Sequence, residues 1–304
     1  MEYTDNDKVN LLEWQLNDTN RFEEYKLFLS GAVESSNERT INNVRYSMAL
    51  ADSHNQINAG DQYMFIGGMG VLGNIVRHLG EYSAVNWRDS HDVDILCRNR
   101  VYSFLYDNFF DRTEVASKSL SFGNKLCYRG SSKDIEEKFL DETNMDVYVP
   151  GPNCGMDIIV NKTIFKNEDW RNSKLVDYFG IKMSVANPIT LLEMKLDVDE
   201  NVNPLRRSKD LSDIVALLGV IERDGIEPED MVGKLNEAQF RSIEDILDEY
   251  PKVKVQKRLI YGANIYEKAL DDIYGANRYL DMKKLILTPS LEYVQEIIKL
   301  GEEK

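Results

Sequence analysis

The stretch YMFIGGMGVLGNIVRHLG, residues 63–80, constrains the fold more than any other part of the chain. The short apolar run Tyr63 to Ile66 predicts a buried strand, and a helical pattern follows the glycines. Gly68, Gly70 and Gly73 form a G-x-G-x-x-G sequence, and glycines let a phosphate approach the backbone closely. The first N–H groups of a helix point outward at its positive end. The stretch therefore predicts a site for a phosphorylated ligand.

The residues that follow the glycines help to decide which kind of phosphorylated ligand this turn would bind. A dinucleotide-binding fold needs one acidic residue about 20 positions after the glycines, at the carboxyl end of the second strand. Asp92 lies 19 positions after Gly73, so spacing alone does not exclude that fold. However, HDVDIL has two acids, and they stand at the start of the apolar run. The order of residues therefore disfavours dinucleotide binding.

Asp92 and Asp94 are predicted to share one face of a strand. Side chains alternate along a strand, so Val93 and Ile95 point into the core. Two residues of rise separate the acids by about 6.6 Å, which allows both carboxylates to bind one divalent cation. Like charges on one face are unfavourable unless something positive neutralises them. The alternative is a solvated strand face, balanced by Arg88 or Arg98.

In these motifs the chain resembles the nucleotidyltransferase superfamily with the DNA polymerase β-type palm. The matching elements are the strand and glycine turn FIGG, the following helix, and HDVDI with its acid pair. The sequence WRDSHDVDIL is similar to the branch that includes the AbiEii-type toxins, because Arg88 and Ser90 precede the acids as Arg-x-Ser. His91 is a departure, since an aliphatic residue is usual there. The resemblance covers residues 62 to about 222.

The resemblance implies a third carboxylate on a neighbouring strand, which completes the metal site and accepts the proton of the attacking hydroxyl. Asp146 in NMDVYVP and Asp157 in GMDIIV are the candidates. We favour Asp146, because it opens a strand and has Val147 and Val149 on the opposite face. The metal ligands expected from the resemblance are thus Asp92, Asp94 and Asp146, holding Mg²⁺ or Mn²⁺.

Two amphipathic helices follow the mixed region. Asn187 is predicted to cap the first, with Pro188 at its first position, and Ile189, Leu192 and Leu196 on its buried face. The second is predicted to begin at a Ser208 cap, to bury Leu211, Ile214, Val215 and Leu218, and to pair Lys209 with Asp213 on its exposed side.

The resemblance adds roles for basic residues on these and earlier elements. It implies that Lys195 faces the active cleft as a catalytic residue, with Arg206 or Arg207 and the pair Lys209–Asp210 in an R-x-x-K-D-x-x-D pattern that ends at Asp213. Alternatively, all of these charges are structural. The expected nucleotide-binding residues are Gly67, Gly68, Arg77, Arg88, Ser90 and Lys209. His54 and His78 are expected to be structural or exposed.

The fold class expected is α+β: a small mixed-sheet nucleotidyltransferase core flanked by helical parts. The predicted division is an N-terminal helical region over 1–61, the core over 62–185, and a C-terminal helical domain over 186–304. Strands are predicted at YMFI, DVDILC, KLCYRG, MDVYVP and DIIV, and a helix at RVYSFLYDNFF.

Composition limits the cellular setting and the partners. The net charge is −15, which disfavours loose binding to duplex DNA or anionic lipid. Cys97, Cys127 and Cys154 form no C-x-x-C pair, so we expect thiols in a reducing compartment. No signal-peptide pattern and no membrane-spanning run occurs, so a cytoplasmic protein is expected.

The expected function is Mg²⁺-dependent transfer of a nucleoside monophosphate from a nucleoside triphosphate such as ATP to a hydroxyl. The acceptor is an RNA or tRNA end, a protein or a small molecule, and a toxin–antitoxin role with an antitoxin partner fits the resemblance. Two alternatives remain: a protein on the same fold that binds a nucleotide or a partner without turnover, and dinucleotide binding at Gly68, Gly70 and Gly73.

Overall fold

The computed structural model describes the parts of the chain that bear on these expectations. Its described residues are 25, 26, 28, 40, 43, 44, 47, 48, 51, 63–87, 90, 92–97, 114–118, 125–128, 144–150, 155–161, 170–197, 204–249 and 289–303. For some of them, including most of the strands between 92 and 161 and the first turn of the long helix at 204, only the backbone is described.

The described strands form one mixed sheet. In chain order they are β1 (Tyr63–Ile66), β2 (Asp92–Cys97), β3 (Glu114–Lys118), β4 (Lys125–Tyr128), β5 (Asn144–Pro150), β6 (Gly155–Asn161), β7 (Lys174–Tyr178) and β8 (Ile181–Val185). Their order across the sheet is β4-β3-β5-β6-β2-β1-β8-β7. The pairs β2–β6 and β1–β8 are parallel, and the other neighbouring pairs are antiparallel.

β1 lies between β2 and β8 and is buried along its whole length. Its four residues are apolar or aromatic, as a strand covered on both faces requires. Val93 and Ile95 of β2 are 0% exposed, which confirms that the residues alternating with the acid pair face the core. The strand β2, which carries the acid pair, is therefore held in place by the apolar packing of Val93 and Ile95.

The hairpin β7–β8 turns through Phe179 and Gly180, both of which have positive φ, at 52° and 95°. The backbone N–H of Gly180 donates to Oδ1 of Asp177 at 2.7 Å, which closes the turn. Phe179 is fully buried, although side chains seldom adopt its left-handed conformation. Its ring lies 5.5 Å from the ring of Tyr25 and 5.2 Å from that of Phe28. Aromatic packing therefore holds a strained residue in the turn.

The described residues between 25 and 51 are helical and buried, except for exposed Lys26. Thr40, Asn43 and Ser47 are polar but 0% exposed, and they recur at helical spacing beside Val44, Met48 and Ala51. Buried polar groups need hydrogen-bond partners to offset lost hydration. This segment is therefore part of the packed interior rather than a solvated helix.

The chain divides into two compact units, Met1–Gly70 with Asp89–Ala186, and Val71–Arg88 with Asn187–Lys304. The first unit contains the whole described sheet. The helices, in chain order, are α1 (Gly67–Leu79), α2 (Pro188–Leu196), α3 (Pro204–Arg223), α4 (Pro228–Val232), α5 (Glu237–Glu249) and α6 (Leu291–Glu302), with a 3₁₀ turn at Glu81–Asn86.

Within the second unit, α2 packs on α3 and α5, and α6 packs on α4 and α5. Glu222 on α3 accepts hydrogen bonds from the backbone N–H of Ser290, at 2.7 Å, and from its hydroxyl, just before α6. The hydroxyl of Tyr293 donates to the carbonyl oxygen of Ile226 at 2.7 Å. The last described helix is thereby fixed to the end of α3.

The structure confirms a mixed α/β fold with a mixed sheet, and it confirms strands at the predicted runs with small shifts in their ends. Asn187 caps α2 as predicted, since its Oδ1 accepts from the N–H of Ile189 at 2.9 Å. The strands β3, β7 and β8 were not predicted. The predicted cap at Ser208 is wrong, because α3 begins at Pro204. The predicted helix at RVYSFLYDNFF lies outside the described residues.

No helix in the described part of the chain combines the length and the apolar character needed to cross a membrane.

Candidate functional site at the glycine turn

The carboxylate of Asp94 lies against Gly67, the first residue of α1. Ile66 at the end of β1 is the register partner of Asp94 on antiparallel β2, so the next residue of the chain passes directly beside this acid. A Cβ atom at Gly67 would overlap Oδ2 of Asp94 and lie 2.8 Å from its Cγ. Gly67 also has a φ of +54°, a conformation that favours glycine. Two independent constraints therefore require glycine at this position.

The N-terminus of α1 opens beside the same acid. No acidic residue of α1 itself occupies its first turn, where Gly67 and Gly68 are half-buried and Met69 and Gly70 are buried. Unsatisfied N–H groups at a helix start favour negative charge. Glycines leave that backbone accessible, which is what an anion such as a phosphate requires. The predicted glycine-turn residues and Asp94 are thus brought together.

The acid pair has a third acidic position beside it on the sheet. In the parallel pair β2–β6, Asp94 is the register partner of Asp157, and Asp92 is the partner of Gly155. Neighbouring strands lie about 4.8 Å apart, and register partners share a face. The backbone therefore places positions 94 and 157 side by side, on the face that also carries position 92.

Asp146 lies farther from the pair. It is the register partner of Ile159 on β6, which in turn pairs with Leu96 on β2. Position 146 therefore lies two strands and two residues away from Asp94, a Cα separation of about 12 Å from ideal sheet spacing. The side chains of Asp92, Asp146 and Asp157 lie outside the described residues, so the geometry of the acids rests on backbone register.

Ser90, which precedes β2, is 2% exposed and is held by the N-terminal helical segment. Its backbone N–H donates to Oγ1 of Thr40 at 2.9 Å, and its carbonyl oxygen accepts from Nδ2 of Asn43 at 3.0 Å. Arg88, the other residue of the predicted Arg-x-Ser, lies outside the described residues. The contact of either residue with a nucleotide stays a prediction.

Lys195 forms a buried ion triad within the second unit. Its Nζ lies 2.6 Å from Oδ1 of Asp210 and 2.9 Å from Oδ2 of Asp213. Burial alone would lower the pKa of Lys195, but the charges of Asp213 and Asp210 outweigh this effect and hold the pKa above its ordinary value. The predicted exposed position of Asp213 is wrong, since it is 0% exposed and pairs with Lys195. The side chain of Lys209 lies outside the described residues.

Arg77 stands in the last turn of α1, at the opposite end from the glycine turn. Its guanidinium contacts Asp224 and donates to Oδ1 of Asn74 at 2.8 Å. His78 Nε2 lies 3.0 Å from the same Asp224 oxygen. Burial alone would raise the pKa of Asp224, but the His78 hydrogen bond and the Arg77 charge more than offset it and lower the pKa. The role predicted for Arg77, phosphate binding, stays a prediction.

The donor set around the acid pair suits a hard divalent cation. Carboxylate oxygens are the ligands that Mg²⁺ and Mn²⁺ prefer, and positions 92, 94 and 157 offer three of them on one face of the sheet. The missing side chain at Gly67 leaves the space that the carboxylate of Asp94 occupies, where a Cβ atom would collide with it. Among the side chains that the structure describes, no three His, Cys, Asp or Glu residues cluster closely enough to bind a metal.

Sequence reasoning missed several partners of the candidate residues. Thr40 and Asn43 lie about 50 residues before Ser90, and Asp224 lies 146 residues after His78. No local pattern marks such distant pairs. For the two candidates for the third acid, the turn PGPNCG marks β5 and β6 as the arms of one hairpin, but only the strand order shows that β6 is the arm beside β2.

No protein-family model matches the chain, and no curated protein gives a significant match.

Proposed function

We propose that the protein is a Mg²⁺-dependent nucleotidyltransferase that transfers a nucleoside monophosphate from a nucleoside triphosphate to a hydroxyl. One observation carries this proposal: the glycine turn at the start of α1 lies against the carboxylate of Asp94. A phosphate-binding helix N-terminus and a metal-binding acid must be neighbours if one ligand is to be a metal–triphosphate complex.

In this proposal the metal ligands are Asp92, Asp94 and a third carboxylate. The register of β2 and β6 supports Asp157 as that third acid, in preference to Asp146, because position 157 lies directly beside position 94. Bound Mg²⁺ would neutralise the charge that develops on the attacking and leaving oxygens.

The chain's own groups bind the substrate and move the proton. The N–H groups at Gly67 and Gly68 hold the terminal phosphates, and an acceptor hydroxyl attacks the α-phosphorus in line. The bond from the α-phosphorus to the bridging oxygen breaks, pyrophosphate leaves, and the hydroxyl proton passes to the carboxylate of Asp157. The acceptor is an RNA or tRNA end, a protein or a small molecule, and an antitoxin is a partner suggested by resemblance alone.

A second candidate is a nucleotide- or partner-binding protein without turnover. A carboxylate at a helix N-terminus stabilises that helix through its dipole, and Asp94 beside Gly67 would do so in an inactive protein too. The buried pairing of Lys195 with Asp210 and Asp213 also fits a structural role on this fold.

Transfer from labelled nucleoside triphosphates with Mg²⁺ tests the proposal. We expect loss of product in D92N and D94N, and a greater loss in D157N than in D146N. D177N is the matched control, because Asp177 is an acid of the same sheet whose pair with Lys182 is exposed. Equal transfer by wild type and D94N would refute catalysis at this site.

Calorimetry separates the alternatives. Mg²⁺-dependent nucleotide binding that D94N abolishes, with no product from any acceptor class, would support the binding protein. Binding of NAD or NADP that D94N leaves unchanged would instead support a dinucleotide site at Gly68, Gly70 and Gly73.

A further inference from the structure

Both backbone hydrogen-bonding groups of Ser90 are occupied by side chains from one helical segment. Thr40 Oγ1 accepts from the N–H at 2.9 Å, and Asn43 Nδ2 donates to the carbonyl oxygen at 3.0 Å. Thr40 and Asn43 are three residues apart and 0% exposed, so they present their polar atoms from one helix face. The two contacts act on the same residue from one side and restrain it as a clamp would. We call this pair of contacts the Ser90 clamp.

The position of the Ser90 clamp links it to the candidate metal site. Ser90 lies two residues before Asp92, where β2 begins. Beyond that point β2 is fixed by its registers with β1 and β6. The clamp thus restrains the chain just before β2, next to Asp92, which is the first residue of that strand.

Packing alone does not account for these polar residues. An apolar helix face would serve a purely structural contact with less desolvation cost, as Val44, Met48 and Ala51 on the same segment illustrate. Buried hydrogen bonds, in contrast, specify one geometry, because a partner that moves away leaves a donor or acceptor unsatisfied. The clamp is suited to fixing where β2 begins.

We propose that Thr40 and Asn43 are positioning residues for the metal site, acting through Ser90 to fix the backbone that leads into Asp92 at the start of β2. This inference rests on the proposed function, because the Ser90 clamp has this role only if Asp92 and Asp94 bind a metal ion. Neither residue touches the substrate in this proposal. They restrain the chain on the N-terminal side of Asp92, so that this acid is held where it can share one cation with Asp94.

Mn²⁺ binding to the full chain, followed by electron paramagnetic resonance, tests the inference without relying on turnover. Thr40→Val keeps the shape of the side chain but removes the acceptor, and we expect affinity for Mn²⁺ to fall about tenfold. Thr40→Ser keeps the hydroxyl and should stay within about twofold of wild type. Ser47→Ala is the matched control, because Ser47 is equally buried on the same segment and its hydroxyl has no hydrogen-bond partner among the described residues.

Amide hydrogen exchange at Ser90 gives a second readout, which does not depend on metal binding. We expect strong protection that Thr40→Val removes and Ser47→Ala preserves. An unprotected Ser90 amide in wild type would overturn the inference, as would a Thr40→Val protein that is less stable yet binds Mn²⁺ like wild type.

The two proposals fail in different ways. If wild type binds Mn²⁺, D94N does not, and Thr40→Val is unchanged, only the positioning role is refuted. If wild type binds no Mn²⁺, or D94N binds it equally well, the proposed function is refuted and the positioning role with it.

Discussion

Gly67 determines both the backbone conformation between β1 and α1 and the space available to an acid of the candidate metal site. Its positive φ turns the chain from β1 into α1, and its missing side chain leaves room for the carboxylate of Asp94. A change at this one position therefore affects backbone strain and the acid together. A control must separate the two effects.

We predict that Gly67→Ala lowers the free energy of unfolding by about 2–4 kcal/mol and displaces Asp94, with loss of Mn²⁺ binding. Gly225→Ala is the control, because Gly225 has a φ of +70° and, among the described residues other than its chain neighbours, no atom lies within 4 Å of the position that a Cβ would take there. It should cost about 1 kcal/mol and leave metal binding intact. Urea unfolding and Mn²⁺ titration measure both quantities. Equal effects of the two substitutions would show that the contact with Asp94 is unimportant.

The Lys195 triad makes a second prediction at this scale. Lys195→Met leaves Asp213, which is 0% exposed, and Asp210 without their cation, so we expect a loss of about 3–5 kcal/mol in unfolding free energy. Lys182→Met removes an ion pair whose partners are 59% and 38% exposed, and should cost less than about 1 kcal/mol. Similar costs for the two substitutions, measured by urea unfolding, would contradict a structural role for the triad.

Sequence reasoning succeeded for residues whose role follows from local alternation. Val93 and Ile95 are buried as predicted, because a strand's faces repeat every two residues. It failed for Asp213, since an i, i+4 partner on its own helix was assumed and Lys195 on another helix pairs with it instead. The sequence pattern within one helix does not show which residue of another helix will pair with a charged side chain.

At the scale of elements, the strands β1 and β2 and the helix α1 were predictable because their apolar runs are bounded by glycines or charges. The hairpin β7–β8 was missed because its turn places Phe179 in a conformation that sequence rules reserve for glycine or asparagine. The choice between Asp146 and Asp157 depends on strand order, which sequence alone left open.

Arg77 and His78 at the end of α1 contact Asp224, the residue after α3, and these contacts lead to a prediction about pH. The pKa of Asp224 is lowered in the folded state, so its contribution is complete above the unfolded pKa of about 3.9 and is lost as pH falls through the folded value. We expect the unfolding free energy of wild type to exceed that of D224N above about pH 5, and the difference to shrink below about pH 4. A difference that stays constant in acid would contradict the ionic origin of this contact.

At the scale of the whole molecule, the net charge gives a prediction about binding to DNA. With a net charge of −15, we expect binding to random duplex DNA weaker than about 10⁻⁴ M at physiological salt. Fluorescence anisotropy with a labelled duplex measures this, and a lower-salt series reveals any local basic groove by its slope. Tight binding at physiological salt would overturn the expectation and redirect the search for an acceptor toward DNA.

The aromatic contacts of Tyr25 and Phe28 with Phe179 bear on how this protein can be divided in the laboratory. Cutting the gene at residue 62 to express a minimal core would uncover the β7–β8 turn, whose unusual geometry depends on that cover. It would also remove the two side chains that hold Ser90. The described residues between 25 and 51 thus belong to the packed interior of the sheet-bearing unit, and truncated proteins should retain them.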